Sequence, residues 1–234
     1  MWIGGRAAGA HHRVKVRSAK MTRVARRFRS VLVKLSSPIA SQFARPNGPA
    51  ATVMAPFLNI VNRGVNRAAV AALAIRPGER ILDVGFGGGV GMRLALQQVG
   101  TGHVTGVDLS TELVALAGRR FRAEIDRGRL RVMEGAVEQL TLPAASFDGA
   151  YSVNTVYFWP DVPAGLAELW RVLAPGGRLV LAMESGARRE HGVFFGGVAP
   201  TRDGLVELLE RAGFVEIEPR LQRGGIELLV ARKG

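Results

Sequence analysis

The sequence predicts a doubly wound α/β fold: a seven-stranded sheet, mostly parallel, with an antiparallel C-terminal strand, preceded by N-terminal helices. Three observations predict it. From Pro77-Gly78 onward, short β-like runs alternate with stretches of helical spacing, as in sheets with helices on both faces. The first of these strands runs directly into closely spaced glycines and then a helix. The last two strands are joined only by Gln222-Arg223-Gly224-Gly225, a connection that suits antiparallel neighbours alone.

The elements follow in order. Ile81–Val84 is a short buried strand, with a helix over Val90–Val99 behind it. His103–Asp108 is a second strand, followed by a helix that Ser110 caps and whose positive start suits Glu112. Leu130–Glu134 and Phe147–Val153 are the third and fourth strands. Leu166, Leu169, Trp170 and Leu173 then recur at i, i+3, i+4 and i+7, the apolar stripe of a helix. Pro175-Gly176-Gly177 turns that helix into a strand over Arg178–Met183. The last helix has Thr201 as its cap, Leu205, Leu208 and Leu209 as its stripe, and Gly213 at its end. Val215–Leu221 and Ile226–Ala231 form the closing hairpin.

Ahead of the sheet lie two further segments. Residues 1–30 are basic and poor in large apolar side chains, so they predict a flexible arm. Residues 31–76 carry apolar residues at helical spacing, such as Phe57, Ile60, Val61 and Val65. Breaks at Pro38, at Pro46-Asn47-Gly48-Pro49 and at Pro56 divide them into two or more helices. Packing against the sheet and a lid over a ligand site are equal readings of this segment. The domain itself is expected over 77–234.

Charge sharpens the division. The chain has 32 Lys and Arg against 19 Asp and Glu, yet Met1–Gly78 holds 14 bases and no acid. That leaves 18 bases and 19 acids in the remainder, a body close to neutral. The basic arm reads first as a solvated tail; anionic lipid at the inner membrane surface and nucleic acid are its alternative contacts. Met21 is a candidate start, which would place the first twenty residues outside the native protein. No apolar run approaches the roughly 18 residues that cross a bilayer, and the N-terminus lacks the apolar core of an export signal. The absence of cysteine excludes disulfides and thiolate chemistry and suits a cytoplasmic enzyme. No metal site is predicted, because His11-His12 lacks a third ligand.

The chemistry concentrates in Asp83-Val84-Gly85-Phe86-Gly87-Gly88-Gly89. Glycines there admit positive φ and a close approach of backbone to ligand. The N–H groups at the following helix start suit an anionic group. Asp108 ends the second strand 19 residues after Gly89, where an acid accepts hydrogen bonds from ribose hydroxyls. A dinucleotide fingerprint, G-x-G-x-x-G, does not fit: from Gly85 the third glycine falls on Val90, and from Gly87 on Met92. Asp83, two residues before the first glycine, favours a ligand ammonium and opposes a pyrophosphate.

These residues resemble the class I S-adenosylmethionine-dependent methyltransferases, especially the small-molecule group that includes quinone-biosynthesis C-methyltransferases. Ile81–Gly89 resembles the first family motif and Val104–Ser110 the second. Gly135–Asp148, Ser152–Asp161 and Arg171–Ala182 resemble the segments around strands three, four and five. The likeness runs from about Gln42 to the C-terminus. It implies a Rossmann-like sheet, S-adenosylmethionine as cofactor and methyl transfer to a small, lipophilic acceptor. It further implies that Asp83 and the backbone of Gly85, Phe86, Gly87 and Gly89 hold the methionine portion. Asp108 would bind the ribose and Leu109 pack on the adenine. Ala136 and Val137 would flank the adenine edge, and Asn154 would line the methionine end. Ala136 departs from the family, which often has Asp there to accept from the adenine amino group.

For the acceptor, the best-placed side chains are Asn154, Tyr157 and Trp159 after strand four and Glu184 and His191 after strand five. Tyr157 and His191 are the candidate catalytic residues. Tyr157, Phe158 and Trp159 form an aromatic cluster for which an acceptor wall, with Tyr157 and Trp159 as its candidates and Phe194-Phe195 as its extension, and plain packing are equal readings. A surface-loop histidine is the plainer reading of His191, and an ordinary loop charge that of Glu184. Asn154-Thr155-Val156-Tyr157 lacks the two prolines usual after strand four in enzymes acting on exocyclic base amines, and the neutral body offers no phosphate track. A nucleic-acid partner is therefore not expected. A non-catalytic, membrane-associated cofactor-binding module is the competing reading.

Overall fold

The computed structural model describes residues 62–184 and 201–234, together with Pro56, Asn59 and Ile60. Within them the chain runs α1 (Arg63–Leu73), β1 (Arg80–Val84), α2 (Val90–Leu96), β2 (His103–Asp108), α3 (Thr111–Arg120), α4 (Arg122–Asp126) and β3 (Leu130–Glu134). It continues with β4 (Phe147–Val153), α5 (Val162–Val172), β5 (Leu173–Glu184), α6 (Arg202–Arg211), β6 (Phe214–Gln222) and β7 (Ile226–Lys233). The basic arm, most of the N-terminal segment, His191 and Phe194-Phe195 lie outside the described residues.

The seven strands form one sheet in the order β3-β2-β1-β4-β5-β7-β6. Pairs from β3 through β5 are parallel, and β7 runs antiparallel to both β5 and β6, the second pairing being the one that the short terminal connection requires. The order reverses between β1 and β4, and ligands of such sheets bind outside the strand C-termini at that switch.

Side chains alternate across each strand, so neighbours in β1 enter different cores. Ile81 packs with Val65 and Leu73 of α1, Met92 of α2 and Leu113 of α3. Leu82 joins Leu166 and Leu169 of α5 and Leu205 and Leu209 of α6. Burial on both faces explains why β1 reads as continuous Ile-Leu-Asp-Val rather than as an alternation. The expected caps form: Ser110 Oγ accepts from Leu113 N at 3.2 Å, and Thr201 Oγ1 from Gly204 N at 3.1 Å.

Two local expectations change. Pro175-Gly176-Gly177 does not separate helix from strand. Leu173 already pairs with Phe147, the intervening residues bulge, and pairing resumes between Arg178 and Gly149. The helix expected over Val90–Val99 stops at Leu96. The Val99 carbonyl instead accepts from Gly78 N and Gly102 N, each at 2.7 Å, which turns the chain into β2.

A nearly buried ion pair ties the end of α1 to β5. Arg178 of β5 donates to Glu79, beside β1, and to the Leu73 carbonyl at the end of α1 at 2.9 Å. The two side chains are only 13% and 14% exposed. Glu79→Ala would leave the guanidinium sequestered without its counter-charge. A loss of about 3 kcal/mol in urea unfolding is expected, and a change near zero would show the pair to be solvent-screened.

Candidate active site

The glycine turn leaves β1 at the switch point. Gly85, Gly87 and Gly89 all have positive φ, at 73°, 53° and 83°. Gly85 N donates to Val107 O of β2 at 2.7 Å, and Gly89 N closes the turn onto Phe86 O at 2.9 Å. A Cβ on Gly89 would stand 2.8 Å from the Phe121 ring, so glycine is required there by both conformation and space. Arg120 donates to the Gly88 carbonyl at 3.0 Å and steadies the outer edge of the turn. Phe86 turns inward and is buried.

Asp108 ends β2 beside this turn. Its Oδ2 accepts from Gly87 N at 2.8 Å and its Oδ1 from Ser110 N at 3.0 Å, so one carboxylate ties the turn to the start of α3. Burial raises its pKa above the usual carboxylate range, against the N–H groups of Gly87, Ser110 and Leu109. Leu109 is half-buried next to it.

Asp83 is 2% exposed. Tyr151 Oη donates to its carboxylate at 2.6 Å, and the Met92 backbone adds a further bond. Burial pushes this acid up to about 7, the Tyr151 hydrogen bond opposing the rise and the charge of Asp108 adding to it. Burial, with the Asp83 charge, also holds the Tyr151 hydroxyl well above its ordinary range. Tyr151 lies 68 residues from Asp83, and reading the sequence gave it no part in the site.

A small recess opens beside the turn. It is lined by Gly85–Gly88 of the turn, by Asn59, Asn62 and Asn66, and by Val90 and Val153. The asparagines are the residues that sequence reading missed. Asn is a poor helix former, and three of them at i, i+3 and i+7 on one predicted helix were the available signal.

The other expected residues divide. Asn154, with φ 56°, donates from Nδ2 to Asn62 Oδ1 and accepts at Oδ1 from Glu184 N, both at 3.1 Å. Ala136 precedes the 3₁₀ turn Val137–Gln139 and is half-buried, while the Val137 side chain packs into the core. Tyr157 and Phe158 are half-buried and meet edge to face, their centroids 6.4 Å apart. Trp159 packs into the core against the Gly165 position, and its Nε1 donates to Thr155 Oγ1 at 3.2 Å. It is a packing residue in this structure. Among the described residues, no group of three His, Cys, Asp or Glu side chains forms a metal site, and no helix is long and apolar enough to cross a membrane.

Comparison with known proteins fits this geometry. A family model described as a methyltransferase domain matches residues 82–181, which begin in β1 and end in β5. A ubiquinone/menaquinone biosynthesis C-methyltransferase of Methylobacterium nodulans is 30% identical over 207 residues, covering 72% of this chain and 81% of the relative. An uncharacterized methyltransferase of Bacillus subtilis, YdaC, is 33% identical over 123 residues, covering 53% of this chain and 66% of the relative. Several curated relatives are matched over between about half and two thirds of their length. The crystal structure of a SAM-dependent methyltransferase from Aquifex aeolicus superposes with a TM-score of 0.64 at 18% identity, over 86% of this chain and all of that one, which is a likeness of fold. The chain belongs to the class I S-adenosylmethionine-dependent methyltransferases.

Proposed function

We propose that this chain transfers the methyl group of S-adenosylmethionine to a small-molecule acceptor. The observation that carries the reading is the joint placement of the glycine turn, Asp108 and the amide-lined recess at the switch point of the sheet. The donor set suits the cofactor. Each Asp108 oxygen has a second lone pair for a ribose hydroxyl beyond its backbone bond. The positive-φ glycines expose backbone to a ligand without a Cβ in the way, and the recess beside them supplies neutral amides for a methionine end.

In this reading Asp108 binds the ribose and Leu109 packs on the adenine. The backbone at Ala136 and Val137 faces the adenine edge, since the Val137 side chain is already in the core. Asp83 acts from behind the turn, where it anchors the start of α2 beside the methionine end. When bound, the cofactor would supply an electrophilic methyl carbon on sulfonium, which the acceptor's lone pair takes in line as the carbon–sulfur bond breaks and the neutral thioether leaves. The protein's part is alignment and exclusion of water. Tyr157 borders the acceptor, and His191 is the candidate base. The near-neutral body favours a small acceptor over a nucleic acid.

Labelled S-adenosylmethionine incubated with the protein and fractionated extract should yield a labelled small molecule; label appearing only in RNA, DNA or protein would overturn the acceptor class. Asp108→Ala should weaken cofactor binding by about tenfold or more, on the scale of a hydrogen bond to a charged group. Calorimetry showing unchanged affinity would remove the ribose assignment.

A further inference from the structure

The amide bonds around the recess have a fixed polarity, and it can be read outward from one group. Glu184 N carries a hydrogen, so the Asn154 atom facing it at 3.1 Å must be the oxygen. Asn154 Nδ2 therefore faces Asn62, and the Asn62 atom that meets it at 3.1 Å must also be an oxygen. The N–H donors of Asn62 are thereby turned away from Asn154. On the next turn of the helix, Asn66 Nδ2 donates to the Asn62 carbonyl at 2.9 Å, which leaves Asn66 Oδ1 as an acceptor. Along one wall of the recess, Asn62 thus presents donors and Asn66 an acceptor.

Asn62 is also the N-cap residue of α1, yet its side chain makes no capping bond. Asparagine is among the best capping residues, and a cap contributes about 1 kcal/mol. Here the side chain is directed to Asn154 and the recess instead. At the other end, Asn66 Oδ1 lies 2.6 Å and Asp83 Oδ2 2.7 Å from the place a Cβ on Gly91 would occupy. The acceptor end of the wall therefore shares its corner with a carboxyl group.

Donors at one end and an acceptor beside an acid at the other complement a ligand carrying an anion and a cation a few bonds apart. We propose that Asn62 binds the α-carboxylate, and Asn66 the α-ammonium, of the cofactor's methionyl end. Asn154 is the positioning residue that sets the orientation of Asn62. The proposal rests on the cofactor reading above. It adds two binding residues that precede the 82–181 family match.

The test compares two ligands by calorimetry on the full chain. S-adenosylhomocysteine carries the amino-acid end, and 5′-methylthioadenosine lacks it. Wild type should prefer the former. Asn62→Ala should weaken S-adenosylhomocysteine by about 10- to 100-fold, the range for hydrogen bonds to charged groups, and leave methylthioadenosine unchanged. Asn62→Asp keeps the size but sets a negative charge against the carboxylate, so it should be worse than alanine for the same ligand alone. Asn66→Ala should show the same selectivity. Asn154→Ala should weaken S-adenosylhomocysteine less and add nothing to Asn62→Ala, because it acts through that residue. Equal losses on both ligands, as a folding defect would produce, or no loss on either, would overturn the proposal while leaving the cofactor reading intact. A wild-type chain that binds neither ligand would overturn both.

Discussion

Gly91→Ala is expected to unfold the protein more easily and to abolish most of its cofactor binding. Gly91 is the second residue of α2 and buried. A Cβ there would meet Asn66 Oδ1 at 2.6 Å, Asp83 Oδ2 at 2.7 Å and Tyr151 Oη at 2.8 Å. Asp83 and Tyr151 are bonded to each other inside the core and have little room to retreat. Relief must come from breaking that bond or from shifting α2 and the turn that leads into it. Overpacking and a disturbed buried hydrogen bond together cost about 3 kcal/mol. Cofactor affinity should fall by more than about tenfold, since displaced backbone carries the site. Gly118→Ala is the matched control. That helical glycine has nothing within 4 Å of its would-be Cβ, so alanine should stabilise α3 by about 0.5–1 kcal/mol. Urea unfolding and calorimetry on both variants check the pair. Similar stability changes for the two would show that the crowding around Gly91 is without energetic consequence.

The second large effect is a pH dependence centred on Asp83. Its folded-state pKa is about 7 against 3.8 for an ordinary Asp, because burial penalises the charged form. Between those values the folded protein holds a proton that the unfolded chain has released. The stability Asp83 contributes is therefore complete below about pH 4 and is lost as pH rises toward 7 and just beyond. A rise from 3.8 to about 7 corresponds to something on the order of 4 kcal/mol. Asp83→Asn keeps the shape and removes the titration. The wild-type stability minus that of the variant should fall by a few kcal/mol between pH 4 and 7.5. Asp108 is shifted in the same direction, and Asp148 and Glu168 in the opposite one, but all three remain in both proteins and largely cancel. A difference that stays flat across the series would mean that Asp83 ionises as an exposed acid does.

The same carboxyl shows where the sequence stops informing. Asp83 before three alternating glycines, with Asp108 beyond them, was enough to read a nucleoside-bearing ligand and to exclude a dinucleotide register. It placed Asp83 where a ligand ammonium is favoured. The fold adds what the sequence did not show: Tyr151 of β4 donates to that carboxylate, and Asn66 Oδ1 stands near it beside Gly91. Trp159 is a similar case: an aromatic after strand four reads equally as an acceptor wall or as packing, and only the fold shows it packed against Gly165 of α5. The proline and glycines at 175–177 spell a turn locally, but pairing of Leu173 with Phe147 makes them a bulge within one strand.

By itself the sequence determined the strands and helices, the caps at Ser110 and Thr201, the antiparallel hairpin and the glycine turn with its following acid. Each depends on periodicity, steric freedom or a hydrogen bond between residues a few positions apart, and such properties are written along the chain. Only the tertiary structure decided that Tyr151 holds Asp83, that Asn154 joins Asn62 to the end of β5, and that Gly91 admits no side chain. Those contacts exist because parallel pairing places β1 between β2 and β4 and gathers their C-terminal ends. The partners are 68 and 92 residues apart, a separation at which no local pattern specifies which side chains will meet.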